Sequence, residues 1–315
     1  MKVVDKTKPI ERLSSKYITV LVFSMVLWGL SFPAIKLALE EVDPITLGLM
    51  RTLFGAIPFS IVVFKKLGTK YVLRSLKEDP YPFTAIALFQ FFLPLAAQNV
   101  GMNMMAPETA ASLSSIIQAT SPIFGLFLSA MILKEYIGLK KAFGAAIALS
   151  GTILLVTRGG VVLSGSDFTG NMLLLASAVF YSISGVITKQ ALNKHEPEKV
   201  ITLALILSSL FFLPTALLTE NIHNLASVSV FSWTLMAYLG IICTGIALFL
   251  WYVVLKKNQL SKQILFTYLI PLFGTGFSHI FLGESMGVKT ALFGIVIIAG
   301  ISIAQYEKKR EAEDG

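Results

Sequence analysis

Charge is what this 315-residue sequence lacks most. Asp, Glu, Lys and Arg make up 14% of it against 55% hydrophobic residues, where a soluble domain carries about 25% charged and about 45–50% apolar. So little charge cannot cover a globule with water-compatible surface, which excludes a soluble fold. Intrinsic disorder is excluded with it, because so apolar a chain collapses. Cysteine is nearly absent: Cys243 stands alone, which rules out an intramolecular disulfide framework. Histidine is scarce, and His195 and His223 fall in connecting segments without metal-ligand spacing. Enzyme signatures are missing as well: there is no His-Glu-x-x-His, no phosphate loop ending in Lys-Ser/Thr, no Gly-x-Ser-x-Gly and no cysteine pair. Neither an enzyme nor an ATP-driven pump is expected, and no cofactor or metal site.

What the chain has instead is apolar length, with a mean hydropathy of +0.76. A bilayer core about 30 Å thick takes about 20 apolar residues as a helix. Ten such runs are expected, at 17–39, 45–64, 82–103, 109–133, 138–157, 168–190, 200–219, 232–255, 262–283 and 287–306. Asp43-Pro44, Asp79-Pro80 and Glu196-Pro197 punctuate three of the starts. The net charge of +8 invites a nucleic-acid partner, but its Lys and Arg are scattered between apolar runs rather than clustered on one face. With the N-terminus inside, every basic residue except Lys36, Arg51, Arg158 and Lys289 falls in an inside segment, the positive-inside pattern. The reading is a multi-pass plasma (inner) membrane protein with both termini cytoplasmic and no cleavable leader. Its partners are the lipid bilayer and a small molecule, not nucleic acid; the oligomeric state is open, and a monomer is compatible with the sequence.

Sliding the chain so that Pro122 meets Pro271 also aligns Phe124-Gly125 with Phe273-Gly274, Glu135 with Glu284, Gly138 with Gly287, Lys140 with Lys289 and Gly151 with Gly300. A similar shift pairs Ser31 and Lys36 with Ser184 and Lys189. Each half holds five expected helices, an odd number, so the second half is inverted, as in many secondary transporters. The expected organisation is a tail at 1–16, a first repeat at 17–157, a second, inverted repeat at 168–306 and a tail at 307–315.

Leu27-Trp28-Gly29 with Ser31 and Phe32, Arg51, Ser121-Pro122 through Lys134-Glu135, and Ile270-Pro271 through Gly283-Glu284 resemble the EamA-type ten-helix members of the drug/metabolite transporter superfamily. The resemblance covers almost the whole chain. It implies a secondary carrier working by alternating access on small metabolites, amino acids foremost, as exporter or facilitator. A sugar-nucleotide or organophosphate antiporter of the same superfamily should need several in-span cations for phosphate, and only Arg51 is deep. A non-transporting membrane subunit would need no central polar cavity.

Arg51 lies about seven residues past the start of its span, about 10 Å deep at 1.5 Å per residue. So buried a charge defaults to a functional candidate: it docks an anionic group, bonds helix-end carbonyls, or snorkels to the headgroups. Pro122 and Pro271 fall mid-span, where a kink beside Gln118, Ser121, Thr267 and Tyr268 points to a binding site or serves packing alone. Gln90, Trp28 with Ser31, Tyr181 with Ser184, and Trp251 with Tyr252 are candidate cavity residues. For Trp251 and Tyr252 an interfacial belt competes. Glu135 and Glu284 at helix ends serve as gates or as terminus electrostatics. His279 is a proton relay or a packing histidine. None of the 18 Asp and Glu residues lies deep within a span, so coupling through a buried acid is not expected.

Overall fold

The computed structural model describes residues 13–105, 110–156, 168–282 and 288–305. Among the described residues no strand occurs. The helices are α1 (Ser15–Ala38), α2 (Pro44–Leu67), α3 (Thr69–Glu78), α4 (Pro80–Asn103), α5 (Ala110–Gln118), α6 (Ser121–Ile132), α7 (Leu139–Val156), α8 (Phe168–Leu192), α9 (Pro197–Thr219), α10 (Val230–Lys257), α11 (Leu260–Phe281) and α12 (Val288–Gln305). Pro44, Pro80 and Pro197 each sit in the first turn of a helix, where proline's missing N–H has no intrahelical partner to lose.

Seven of these helices (α1, α2, α4, α8, α9, α10 and α11) are long and apolar enough to cross a membrane. The other three expected runs differ. The fourth is broken at Ala119–Thr120 into α5 and α6, so Pro122 opens a new helix in its first turn rather than kinking a continuous one. The fifth and tenth correspond to α7 and α12, each of 18 residues, or about 27 Å of helix at 1.5 Å per residue. The ten-residue α3, in what the sequence reads as a basic connection, is amphipathic: it buries Val72 and pairs Arg74 with Glu78 one turn on at 2.6 Å.

Three spans carry interruptions that hydropathy cannot report. α4 contains a π-helical stretch at Ala87–Phe92 and α10 one at Tyr238–Ala247; α11 has a 3₁₀ stretch at Ile264–Tyr268 just before Pro271. Wider turns displace backbone groups, and in α10 those groups find partners: Trp28 Nε1 donates to the Cys243 carbonyl at 3.0 Å, and Thr244 Oγ1 to the Leu239 carbonyl at 2.7 Å.

Helix α1 packs along α11, where a Cβ added at Gly29 would lie 2.6 Å from Phe273 Cβ. At the side of the bundle α7 and α12 cross through Gly144 and Gly300, close enough that a Cβ on either would meet backbone of the other helix. Large apolar residues face outward, among them Ile57, Ile61, Phe127, Met131, Ile295 and Ile298, as lipid contact requires.

Carboxylates close the N-termini of α2 and α10. Glu220 accepts from the Ile45 and Thr46 N–H groups at the start of α2, both at 2.7 Å. Glu41 accepts from Ser229 N–H (2.7 Å) and Ser229 Oγ (2.9 Å) at the start of α10. The backbone hydrogen bond from Ser229 holds the Glu41 carboxyl below the ordinary glutamate range. A depressed folded-state value means that the contribution is present above the unfolded-state pKa, about 4.3 for Glu, and lost as pH falls through the folded value. The melting temperature of the native protein is therefore expected to exceed that of Glu41→Gln by a constant margin above about pH 5. That margin should shrink below about pH 4; a difference that does not change with pH would contradict the cap.

Candidate functional site

A cavity of about 170 Å³ lies inside the bundle, walled by α1, α2, α4, α5, α6, α8, α10 and α11. Eight of the expected cavity residues line it: Trp28, Ser31, Gln90, Gln118, Ser121, Tyr181, Trp251 and Thr267; Arg51 and Pro271 join them. The π-helical stretches contribute Gln90 and Phe91 from one side and Cys243 and Thr244 from the other.

Most of its neutral polar groups are already engaged. Gln118 Nε2 donates to Ser177 Oγ at 2.8 Å, and Ser177 Oγ to the Pro94 carbonyl at 2.9 Å. Ser121 and Ser182 hydroxyls lie 3.0 Å apart, and Ser182 Oγ also donates to the Ser121 carbonyl at 2.8 Å. Ser184 Oγ donates to Gln90 Oε1, and Tyr181 OH to Gln98 Oε1 at 3.4 Å. Ser31 and Thr267 hydroxyls return to carbonyls of their own helices, Trp28 and Ile264, both at 2.6 Å. The same side chains thus bind helices together and face the cavity. Aromatic surface comes from Trp28 and Trp251, whose rings lie 5.5 Å apart, tilted by 53°.

Arg51 is 6% exposed, so it turns into the bundle instead of snorkelling outward. Its Nε lies 3.4 Å from Thr244 Oγ1, and its Nη1 is buried with no hydrogen-bond partner. Helix-end carbonyls are not among its acceptors, which removes that alternative. Placing a charge there costs several kcal/mol, and among the described residues no carboxylate lines the cavity.

Five expected residues lie elsewhere. Ser184 is buried behind Gln90. Tyr252 and Tyr268 are buried in the core, outside the cavity wall; burial also removes Trp251 and Tyr252 from any interfacial belt. His279 is on the exposed side of α11, away from the cavity. Pro122 is buried at the start of α6. Glu284 falls outside the described residues.

Glu135 sits below the cavity. Its two oxygens accept from Leu260 N–H (2.9 Å) and Ser261 N–H (2.7 Å), the first turn of α11, and Leu260 itself lines the cavity. A carboxylate on the positive end of a helix is a favourable pairing. The contact joins the two halves of the chain, not neighbouring helices of one half. Beside it Lys141 Nζ donates to Ser261 Oγ at 3.2 Å. Lys189 Nζ donates to the Leu255 and Asn258 carbonyls at the end of α10, at 2.8 and 2.7 Å. Sequence reasoning singled out neither Thr244 nor the Glu135 acceptor geometry. Thr244 sits in an apolar run like any other small residue, and no local signal marks the π-helical turn that aims it at Arg51.

The family of EamA-like transporters matches residues 15–157 and 168–305. An uncharacterized transporter of Archaeoglobus fulgidus is 26% identical over 92% of this chain and 97% of its own length. A protein of Streptantibioticus cattleyicolor named a probable terminal-alkyne amino-acid exporter is 25% identical over 95% and 97%. A solved crystal structure, 18% identical, superposes on 92% of this chain and 98% of its own with a TM-score of 0.72, a likeness of fold.

Proposed function

We propose that this chain, which belongs to the EamA-like transporter family, carries a small metabolite across the plasma membrane by alternating access, with the 170 Å³ cavity as its transport site. The carrying observation is that cavity: polar, aromatic and walled by helices from both halves of the chain. The architecture proposed is ten membrane-crossing segments in two inverted repeats, 17–157 and 168–306, with both termini cytoplasmic. Two features support the repeat. Pro122 and Pro271 both follow an interruption of regular helix, and α4 and α10, at matching positions in the two halves, both carry π-helical stretches on the cavity wall. Discontinuous helices meeting at mid-membrane are a recurrent carrier design.

Size favours a metabolite of amino-acid scale. A protein cavity of about 150 Å³ accepts benzene, whereas larger ligands occupy pockets of about 300–1,000 Å³. A sugar nucleotide is disfavoured for that reason and because Arg51 is the one cation on the wall among the described residues. Amino-acid export, named for one relative, is within the proposed range.

Single cysteines at Gln118 and Thr267, in a Cys243→Ser background because Cys243 also lines the cavity, test the reading. Both are expected to react with a membrane-impermeant thiol reagent, and substrates found by liposome uptake should slow that reaction. Protection of both positions from either side of the membrane would sink the carrier proposal.

A further inference from the structure

The cavity is electrically lopsided. Among the described residues it holds one guanidinium and no carboxylate, its neutral polar groups are largely committed to neighbouring helices, and the Arg51 Nη1 is buried without an acceptor. A buried charge is kept only where something compensates it, and among the described residues the chain supplies a single hydroxyl at 3.4 Å. A group that enters the cavity can supply that acceptor. A carboxylate matches a planar guanidinium, which bonds it through two parallel N–H groups. A phosphate carries more charge than one cation balances. An ammonium finds no anion here.

We propose that the cavity selects small monocarboxylates with an apolar or aromatic body, the carboxylate docking on Arg51 beside Thr244 and the body packing against Trp28 and Trp251. This names the substrate class of the carrier reading and rests on that reading for its transport meaning, though not for binding. The volume of about 170 Å³ admits a single ring with a short acid arm, by comparison with the benzene-sized cavity of about 150 Å³.

The test uses a matched set of probes on the full chain: phenylacetate, its neutral isostere phenylacetamide, and phenethylamine. Binding to purified protein is read by equilibrium dialysis. Phenylacetate is expected to bind at least about ten-fold tighter than phenylacetamide, as expected for a charge-assisted hydrogen bond, and phenethylamine not at all. In Arg51→Gln the phenylacetate advantage should disappear while phenylacetamide affinity persists, which also reports that the variant is folded. Arg51→Lys should keep part of the advantage. Thr244→Val should weaken both compounds less than Arg51→Gln weakens phenylacetate.

Equal binding of acid and amide, no binding of either, or an acid preference that survives Arg51→Gln would each overturn the inference. The two readings fail separately. Liposome uptake of some metabolite that is indifferent to Arg51→Gln overturns the carboxylate site and leaves the carrier. An Arg51-dependent preference for phenylacetate with no movement of any compound across the bilayer overturns the carrier and leaves the site.

Discussion

Glu135→Ala is expected to release the start of α11 from Glu135 and, if that contact is a gate, to cut net transport at least ten-fold. The carboxylate receives two backbone N–H groups from the first turn of α11, at 2.9 and 2.7 Å. Hydrogen bonds to a charged group are worth about 1.5–3 kcal/mol each, so their joint loss is about 3–6 kcal/mol. Carrying a two-state balance from 1:99 to 99:1 takes about 5.5 kcal/mol. If the contact exists in only one state of the proposed cycle, the substitution moves the equilibrium by about two orders of magnitude or more. Leu260, one of the two donors, is also part of the cavity wall, so release of α11 there connects the cavity to that end of the bundle. Spin labels on exposed Leu139 and Lys257 would report it as longer, broader distances. Glu135→Asp should recover part of the short-distance population. Unchanged distances together with unchanged uptake would show that the contact is a static cap.

Gly300→Leu is expected to have the largest effect on stability of any single substitution considered. Even a Cβ at that position would lie 2.4 Å from the Ala148 backbone nitrogen and 2.7 Å from the Gly144 carbonyl oxygen. Backbone cannot move aside as a flexible side chain can, so α7 and α12 must separate along their contact. Overpacking a well-packed interior costs about 1–3 kcal/mol, and membrane helices associate mainly through such close packing. A loss of several degrees in melting temperature, or failure to accumulate folded protein, is the expected outcome. Gly276→Ala is the control: nothing lies within 4 Å of its added Cβ, so exchanging one helical residue for a better helix former should be neutral or slightly stabilising. Equal losses in both variants would show that the close approach of α7 and α12 at Gly300 is not the cause.

Several elements were legible before any coordinates. Low charge and long apolar runs gave the all-helical membrane class, because the energy of placing a residue in lipid depends on that residue alone. The Asp-Pro and Glu-Pro pairs marked true helix starts at Pro44, Pro80 and Pro197, since proline's geometry is local too. Polar residues within apolar runs pointed to the cavity wall in most cases, because lipid rejects them. The same logic could not separate Gln118, which lines the cavity, from Ser184, which is buried behind Gln90. Both avoid lipid, and only the rotation of each helix distinguishes them. Tyr252 and Tyr268 went astray for that reason: a tyrosine in a span is equally well served by a core pocket.

By itself, then, the sequence determined that the chain lives in a membrane, how its apolar segments are spaced, and that one arginine stands deep among them. The tertiary structure decided what those residues do to one another. It broke the fourth run before Pro122, widened α4 and α10 into π-helical turns, brought Thr244 beside Arg51, and set Glu135 on the start of a helix in the other half of the chain. The last two depend on residues far apart in sequence. Hydropathy and helix starts follow from neighbouring residues; the environment of a buried charge follows from whatever the fold sets around it.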